Sequence, residues 1–163
     1  EPHKRAAVVA RGLVRSIDFL YLARASTPAL AVGPPAATVR RGPALDRAGA
    51  HALHELTFAE LPNTSPTTRA DFDAALDGPE AWAAASSSWH GDDGRCVGFV
   101  RAARAPDHGV IDAIGVDPTW RGRGLGRAMV ADVVAVAAAD GVAEVRAVIA
   151  STNAASLAPT RCC

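Results

Sequence analysis

Residues 116–127 read Val-Asp-Pro-Thr-Trp-Arg-Gly-Arg-Gly-Leu-Gly-Arg. Gly122, Gly124 and Gly126 alternate with larger residues, and Arg121, Arg123 and Arg127 fall within the same seven positions. Glycine lets the main chain approach a ligand with no Cβ in the way. Arginine presents a planar fork of donors that matches phosphate. Apolar residues then recur at helical spacing (Leu125, Met129, Val133, Val136), so a helix is expected from Leu125 to Asp140, starting at about Gly124 and stopped by Gly141. The first amides of a helix lack an internal partner, and the macrodipole places about half a positive charge there. The segment is therefore an anion site made by backbone, and a pyrophosphate is its natural guest.

Two common pyrophosphate loops do not fit. One ends in Gly-Lys-Ser/Thr, and the only lysine here is Lys4. The dinucleotide fingerprint spaces its glycines G-x-G-x-x-G, whereas these alternate strictly.

The elements that must hold this loop can be read around it. Val110 to Val116 (VIDAIGV) is expected to be a mostly buried strand ended by Asp117-Pro118, with Asp112 the one charged residue in its run. Val142 to Ile149 is the next strand. Thr152-Asn153 opens a further helix that Pro159 cuts short. Upstream, Leu13 to Ala23 is a strand candidate, followed by a Pro-containing linker, and Ala37 to Gly42 (ATVRRG) is a second strand. A helix is expected after Pro43, with Asp46 as N-cap and Leu45, Ala48, Leu53, Leu56 and Ala59 on one face. A shorter helix follows, capped by Thr67 or Thr68, containing Phe72, Ala75 and Leu76 and ending at Gly78-Pro79. Ala81 to Trp89 and Cys96 to Ala103 flank a turn-rich HGDDGR and read as a hairpin. From residue 37 the order is β-α-α-β-β-β-α-β-α, a mixed α/β domain around one sheet.

The chain has 163 residues, enough for one domain with a core; 49% are hydrophobic. Seventeen basic residues balance seventeen acidic ones, without the basic excess of a nucleic-acid binder. No apolar run approaches the roughly 20 residues that cross a bilayer, and no signal-peptide pattern opens the chain. Cys96, Cys162 and Cys163 form neither a disulfide framework nor a zinc motif, so no metal is expected and a reducing, cytoplasmic setting is.

The run Arg121 to Gly126 fits R-x-x-G-x-G, placed directly after a strand that ends Val-Asp-Pro. This resembles the acetyl-CoA signature of the GNAT family, the GCN5-related N-acetyltransferases. The likeness extends outward: IGVDPTWRGRGLGRAMV resembles the family's fourth strand, pyrophosphate loop and third helix, and VRAVIASTNAASLA its fifth strand and fourth helix. It covers about residues 37–158.

The resemblance implies a GNAT-type fold that binds acetyl-CoA as cosubstrate and acetylates an amine, a small molecule or a peptide. The amides of Arg121, Gly122, Arg123, Gly124, Leu125, Gly126 and Arg127 would hold the pyrophosphate. The edge Ile114, Gly115 and Val116 would pair with pantetheine where the family's fourth and fifth strands splay, one amide polarising the thioester carbonyl. Asn153 would contact pantetheine or simply cap its helix. Asp112 is the first candidate for general base and Glu60, after the first long helix, the second. His54 and His108 read better as satisfied or surface histidines. Trp82 and Trp89 read as hairpin packing before cleft lining. The other function class compatible with the loop is a non-catalytic acyl-CoA-binding domain.

The pattern departs from the family at its end. The family's fourth helix leads to a tyrosine that protonates the leaving thiolate, then to two closing strands; here Asn153 is followed by no tyrosine. Residues 10–24 (ARGLVRSIDFLYLAR) instead resemble those closing strands. Residues 1–36 thus read as the tail of either a preceding GNAT sheet or a swapped one, plus a linker, and 37–163 as a GNAT-like domain cut short in helix 4; under the second reading the segment completes this sheet. The closing strands would come from the N-terminal segment, within the chain or by exchange in a homodimer, with Tyr21 then the one tyrosine able to approach the site.

Overall fold

The computed structural model of the chain describes residues 19–25, 37–59, 61 and 64–150. Its elements are β1 (Phe19–Ala25), β2 (Thr38–Arg41), α1 (Arg47–Phe58), α2 (Arg69–Asp77), β3 (Ser87–His90), β4 (Cys96–Arg104), β5 (Gly109–Val116), α3 (Leu125–Ala139) and β6 (Glu144–Ala150). The strands form one six-stranded sheet in the order β1-β6-β5-β4-β3-β2. All neighbours are antiparallel except β5 and β6, which run parallel on either side of the crossover helix α3. The expected mixed α/β architecture is the one observed. The helix expected after Thr152 lies outside the described residues.

Local chemistry explains the helix starts. The Asp46 side chain accepts from the Gly49 amide and begins α1. Thr68 accepts from the Asp71 amide and begins α2. Each such cap is worth about 1 kcal/mol. The core has two parts, one on each sheet face. Val100, Ala102 and Ile111 pack with Leu125, Met129, Val133 and Ala137 of α3. Phe99 and Ala113 point the other way and pack with Ala50, Leu53 and Phe72 of α1 and α2.

Two expectations need correction. Of the proposed apolar face of α1 only Leu53 is buried; Ala48, Leu56 and Ala59 are exposed, and Ala50 and His54 turn inward instead. Phe58, Phe72 and Phe99 provide an aromatic pocket that takes the imidazole in place of an aliphatic side chain. The first hairpin arm is also shorter than Ala81 to Trp89. Residues 83–85 form a turn because Ala85 and Ser86 donate their amides back to the Trp82 carbonyl, so Ala81 makes only a single bridge to Ala103 and the continuous strand starts at Ser87.

The N-terminal strand sits at the far edge of the sheet. Phe19 to Ala25 pairs with Ala150 to Glu144 in unbroken antiparallel register. The sheet beyond β6 is thus continued by a segment that precedes the rest of the domain in sequence. Among the described residues no helix is long and apolar enough to cross a membrane.

Candidate active site

The parallel pair β5–β6 is short. Gly109 faces Val145, Val110 faces Arg146 and Ile111 faces Ala147, and there the pairing stops. Both strands continue, β5 to Val116 and β6 to Ala150. Past Ile111 they part, and among the described residues no strand pairs with the β6-side edge of Ile114, Gly115 and Val116. The other edge of β5 remains paired with β4, but with one extra residue. Arg101 faces Ala113 and Ala102 faces Ile111, so Asp112 is a bulge. A bulge bends its strand and re-aims a side chain, and this one falls at the point of parting.

The glycine loop sits beyond the end of β5. The buried Asp117 carboxylate accepts from the Thr119 amide (2.8 Å) and hydroxyl (2.6 Å) and fixes the turn Pro118–Trp120. The Thr119 hydroxyl, foremost, holds the Asp117 carboxyl below its ordinary value. Gly122 and Gly124 have φ of +76° and +82°, a region costly to residues with a Cβ. Gly124 is the N-cap of α3 and no side chain caps the helix. The amides of Leu125, Gly126 and Arg127 therefore point, unpartnered within the helix, out of its first turn. Arg121, Arg123 and Arg127 are exposed around them. Arg123 stacks on Trp120 (5.2 Å to the ring centroid), and Arg121 reaches the Val116 carbonyl (3.4 Å). The geometry is a positive, glycine-lined helix start directly above a gap between two strands.

On the α1 and α2 side of the gap, the half-exposed Asp112 carboxylate accepts from Arg101 Nε at 2.6 Å. Arg101 is mostly buried, its guanidinium 5.4 Å from the Phe72 ring centroid. Thr57 of α1 comes down on Gly115: a Cβ there would lie 2.7 Å from Thr57 Oγ1 and 2.4 Å from Phe99. Arg101, Phe72 and Thr57 were not foreseen as parts of this region. Arg101 and Phe72 join it through the bulge and the packing of α2, neither of which has a local sequence signal.

The remaining candidates separate clearly. His54 is buried, stacked on Phe58 at 4.4 Å, and burial pushes its pKa down. His108 pairs with Asp107 at 2.6 Å in the turn before β5, at the opposite end of that strand from the loop. Trp82 and Trp89 are buried in the α3-side core, donating to Asp140 and Ser87, so neither lines the gap. Glu60, Asn153 and the Tyr21 side chain lie outside the described residues. Cys96 is half-buried with its thiol pushed up to about 11 by burial, which makes it a poor nucleophile.

Comparison with known proteins agrees with this geometry. Residues 50–160 match the acetyltransferase (GNAT) family model. The chain is 32% identical, over 96% of its length, to a mycothiol acetyltransferase of Clavibacter michiganensis subsp. michiganensis, and covers 53% of that protein. A GCN5-related N-acetyltransferase from Sphaerobacter thermophilus superposes with a TM-score of 0.80 at 22% identity, over 94% of this chain and 49% of that one. The Escherichia coli ribosomal-protein-S18-alanine N-acetyltransferase superposes with a TM-score of 0.63 at 20% identity, over 77% of this chain and 75% of that one. The chain spans about half the length of the first two, and the Sphaerobacter match reaches into the segment that carries β1, whereas the 77% match need not. The sequence signature, the parting of β5 and β6 and the family match converge: the chain belongs to the GNAT family of acetyltransferases.

Proposed function

We propose that this domain transfers the acetyl group of acetyl-CoA to a primary amine by direct attack on the thioester. The observation that carries the reading is the parting of β5 and β6 after Ile111 and Ala147, directly below the uncapped start of α3. The pyrophosphate would lie on the amides of Gly122 to Arg127, and pantetheine would run along Ile114 to Val116 as an added strand. The thioester would then lie near the bulge. The neutral amine nitrogen attacks the carbonyl carbon, the C–S bond breaks, and CoA leaves as thiolate. A backbone amide of Ile114 to Val116 would stabilise the oxyanion. The proton lost by the amine would pass to Asp112, whose carboxylate Arg101 holds at the edge of the gap. Similarity to a mycothiol acetyltransferase supports an acceptor of the small-molecule, mycothiol-related kind over a protein tail.

Release of free thiol from acetyl-CoA, followed across a panel of small and peptide amines, tests this. Turnover with a small amine, reduced at least about a hundredfold in Asp112→Asn, is the expected outcome. Tight CoA binding with no turnover on any amine would overturn it in favour of a non-catalytic acyl-CoA-binding domain. Full activity of Asp112→Asn at every pH would remove Asp112 as the base.

A further inference from the structure

The connection between α1 and α2 starts at Ala59, two residues beyond the Thr57 that packs on Gly115, so it leaves α1 beside the part of β5 that has parted from β6. It then returns along α1. At its end two side chains of α1, one helical turn apart, hold both polar groups of a single residue. His51 Nε2 donates to the Thr67 carbonyl at 2.7 Å, and the Thr67 amide donates to Glu55 Oε1 at 3.0 Å. The same Glu55 oxygen accepts from His54 Nδ1 at 3.1 Å, which ties the grip to the buried aromatic cluster. At the near end, the single hydrogen of the Thr64 hydroxyl is shared between the Phe58 and Leu61 carbonyls.

The grip reaches further than the loop. Thr68, next in the chain, caps α2. Helix α2 carries Phe72, whose ring lies under the Arg101 guanidinium, and Arg101 holds Asp112. Contacts are therefore continuous from His51 and Glu55 to the carboxylate at the gap. They run through the α1 and α2 side, leaving the glycine loop and α3 untouched.

We propose that His51 and Glu55 are positioning residues that clamp the α1–α2 connection at Thr67 and thereby set the acceptor side of the acetyl-transfer cleft. The inference rests on the reading of the gap as that cleft. It requires that the pair act on the amine and leave acetyl-CoA alone. One residue held at both its N–H and its C=O has the two peptide groups that flank it fixed, which a single bond would not achieve. Thr67 is preceded by Pro66, which has no amide to offer, so the Thr67 N–H is the first donor available at this end of the connection.

The test uses the full chain with His51→Ala, Glu55→Ala and Glu55→Gln. Losing one such hydrogen bond is worth about a tenfold effect. Glu55→Ala and His51→Ala should each raise the KM for the amine by about that factor and leave the acetyl-CoA Kd within about twofold. Hydrogen exchange at the Thr67 amide should speed up by about tenfold in Glu55→Ala and return toward wild type in Glu55→Gln, whose amide oxygen still accepts. Unchanged amine KM in both alanine variants overturns the proposal, whether or not exchange rises. An equal loss of acetyl-CoA affinity overturns it too, since the clamp would then support the whole fold. A different pattern separates this inference from the mechanistic reading: if the clamp variants raise the amine KM while Asp112→Asn is fully active, the clamp stands and the base assignment falls.

Discussion

Thr57 and Gly115 meet where α1 crosses the end of β5 that has parted from β6, with no room between them: a Cβ on Gly115 would stand 2.7 Å from the Thr57 hydroxyl oxygen. The same Cβ would stand 2.4 Å from Phe99, a fully buried ring. Thr57 cannot turn away freely, because its hydroxyl donates to the Leu53 carbonyl at 2.8 Å. The glycine thus does two things. It leaves the face of β5 open to the Phe99 ring, and it lets α1 sit low against the strand at Thr57.

Gly115→Ala should therefore cost stability as well as function. Overpacking a close-fitted site costs roughly 1–3 kcal/mol. A lower Tm in thermal unfolding together with a raised amine KM is expected. A variant with wild-type Tm would mean that α1 is not held against β5 as described.

Gly124 carries a φ of +82° at the start of α3. An alanine there strains the backbone by about 1–2 kcal/mol, and a glutamate adds a negative charge beside the amides that would meet the pyrophosphate. Calorimetric titration should show CoA binding weakened more than about tenfold in Gly124→Glu and less in Gly124→Ala. Unchanged affinity in Gly124→Glu would remove the pyrophosphate from this loop.

The strand β1 should matter to a site it does not touch. Leu22 faces Ala147, the residue that also ends the β5–β6 pairing. In an antiparallel pair alternate residues turn their N–H toward the partner, so prolines at both Leu22 and Ala23 remove at least one N–H that the ladder with β6 uses. The double variant Leu22→Pro, Ala23→Pro should lower stability by roughly 1–3 kcal/mol in denaturant unfolding and weaken acetyl-CoA binding, because β6 is one wall of the gap. Retention of wild-type stability would mean that β1 contributes nothing to the sheet.

What could be read in advance was what is local. The glycine loop, the start of α3, the Asp46 cap and the strand ended by Asp117-Pro118 are each decided within a few residues. What escaped was decided at a distance. Leu56 and Ala48 looked like core on helical spacing, but the aromatic rings that select His54 come from Phe58, Phe72 and Phe99. Asp112 stood out as a charge in an apolar strand, yet its pairing with Arg101 depends on a bulge, which a period-two pattern does not reveal. The likeness of residues 10–24 to closing strands pointed to the N-terminal segment, but only the register of β1 on β6 shows where its last part, Phe19–Ala25, is seated.

His54 gives a pH signature to the α1 and α2 side. Unfolded, its imidazole takes up a proton near the ordinary value of 6.5; folded, burial pushes that value down. Below about 6.5 the unfolded chain therefore binds more protons, and stability falls with falling pH until the lower, folded value is passed. Above 6.5 this contribution is complete. Glu55 and Asp117, held below their ordinary values of 4.5 and 3.8 chiefly by the Thr67 amide and the Thr119 hydroxyl, lose their contributions only at lower pH, so the windows separate. Unfolding free energy measured between pH 7.5 and 5 should decline below about 6.5, with a slope of at most about 1.4 kcal/mol per pH unit from this one group. His54→Phe preserves the ring stacking and removes the titration, so its decline over the same range should be shallower by that share. Parallel curves for the two proteins would show that His54 is protonated as readily in the fold as out of it, contrary to its burial among Phe58, Phe72 and Phe99.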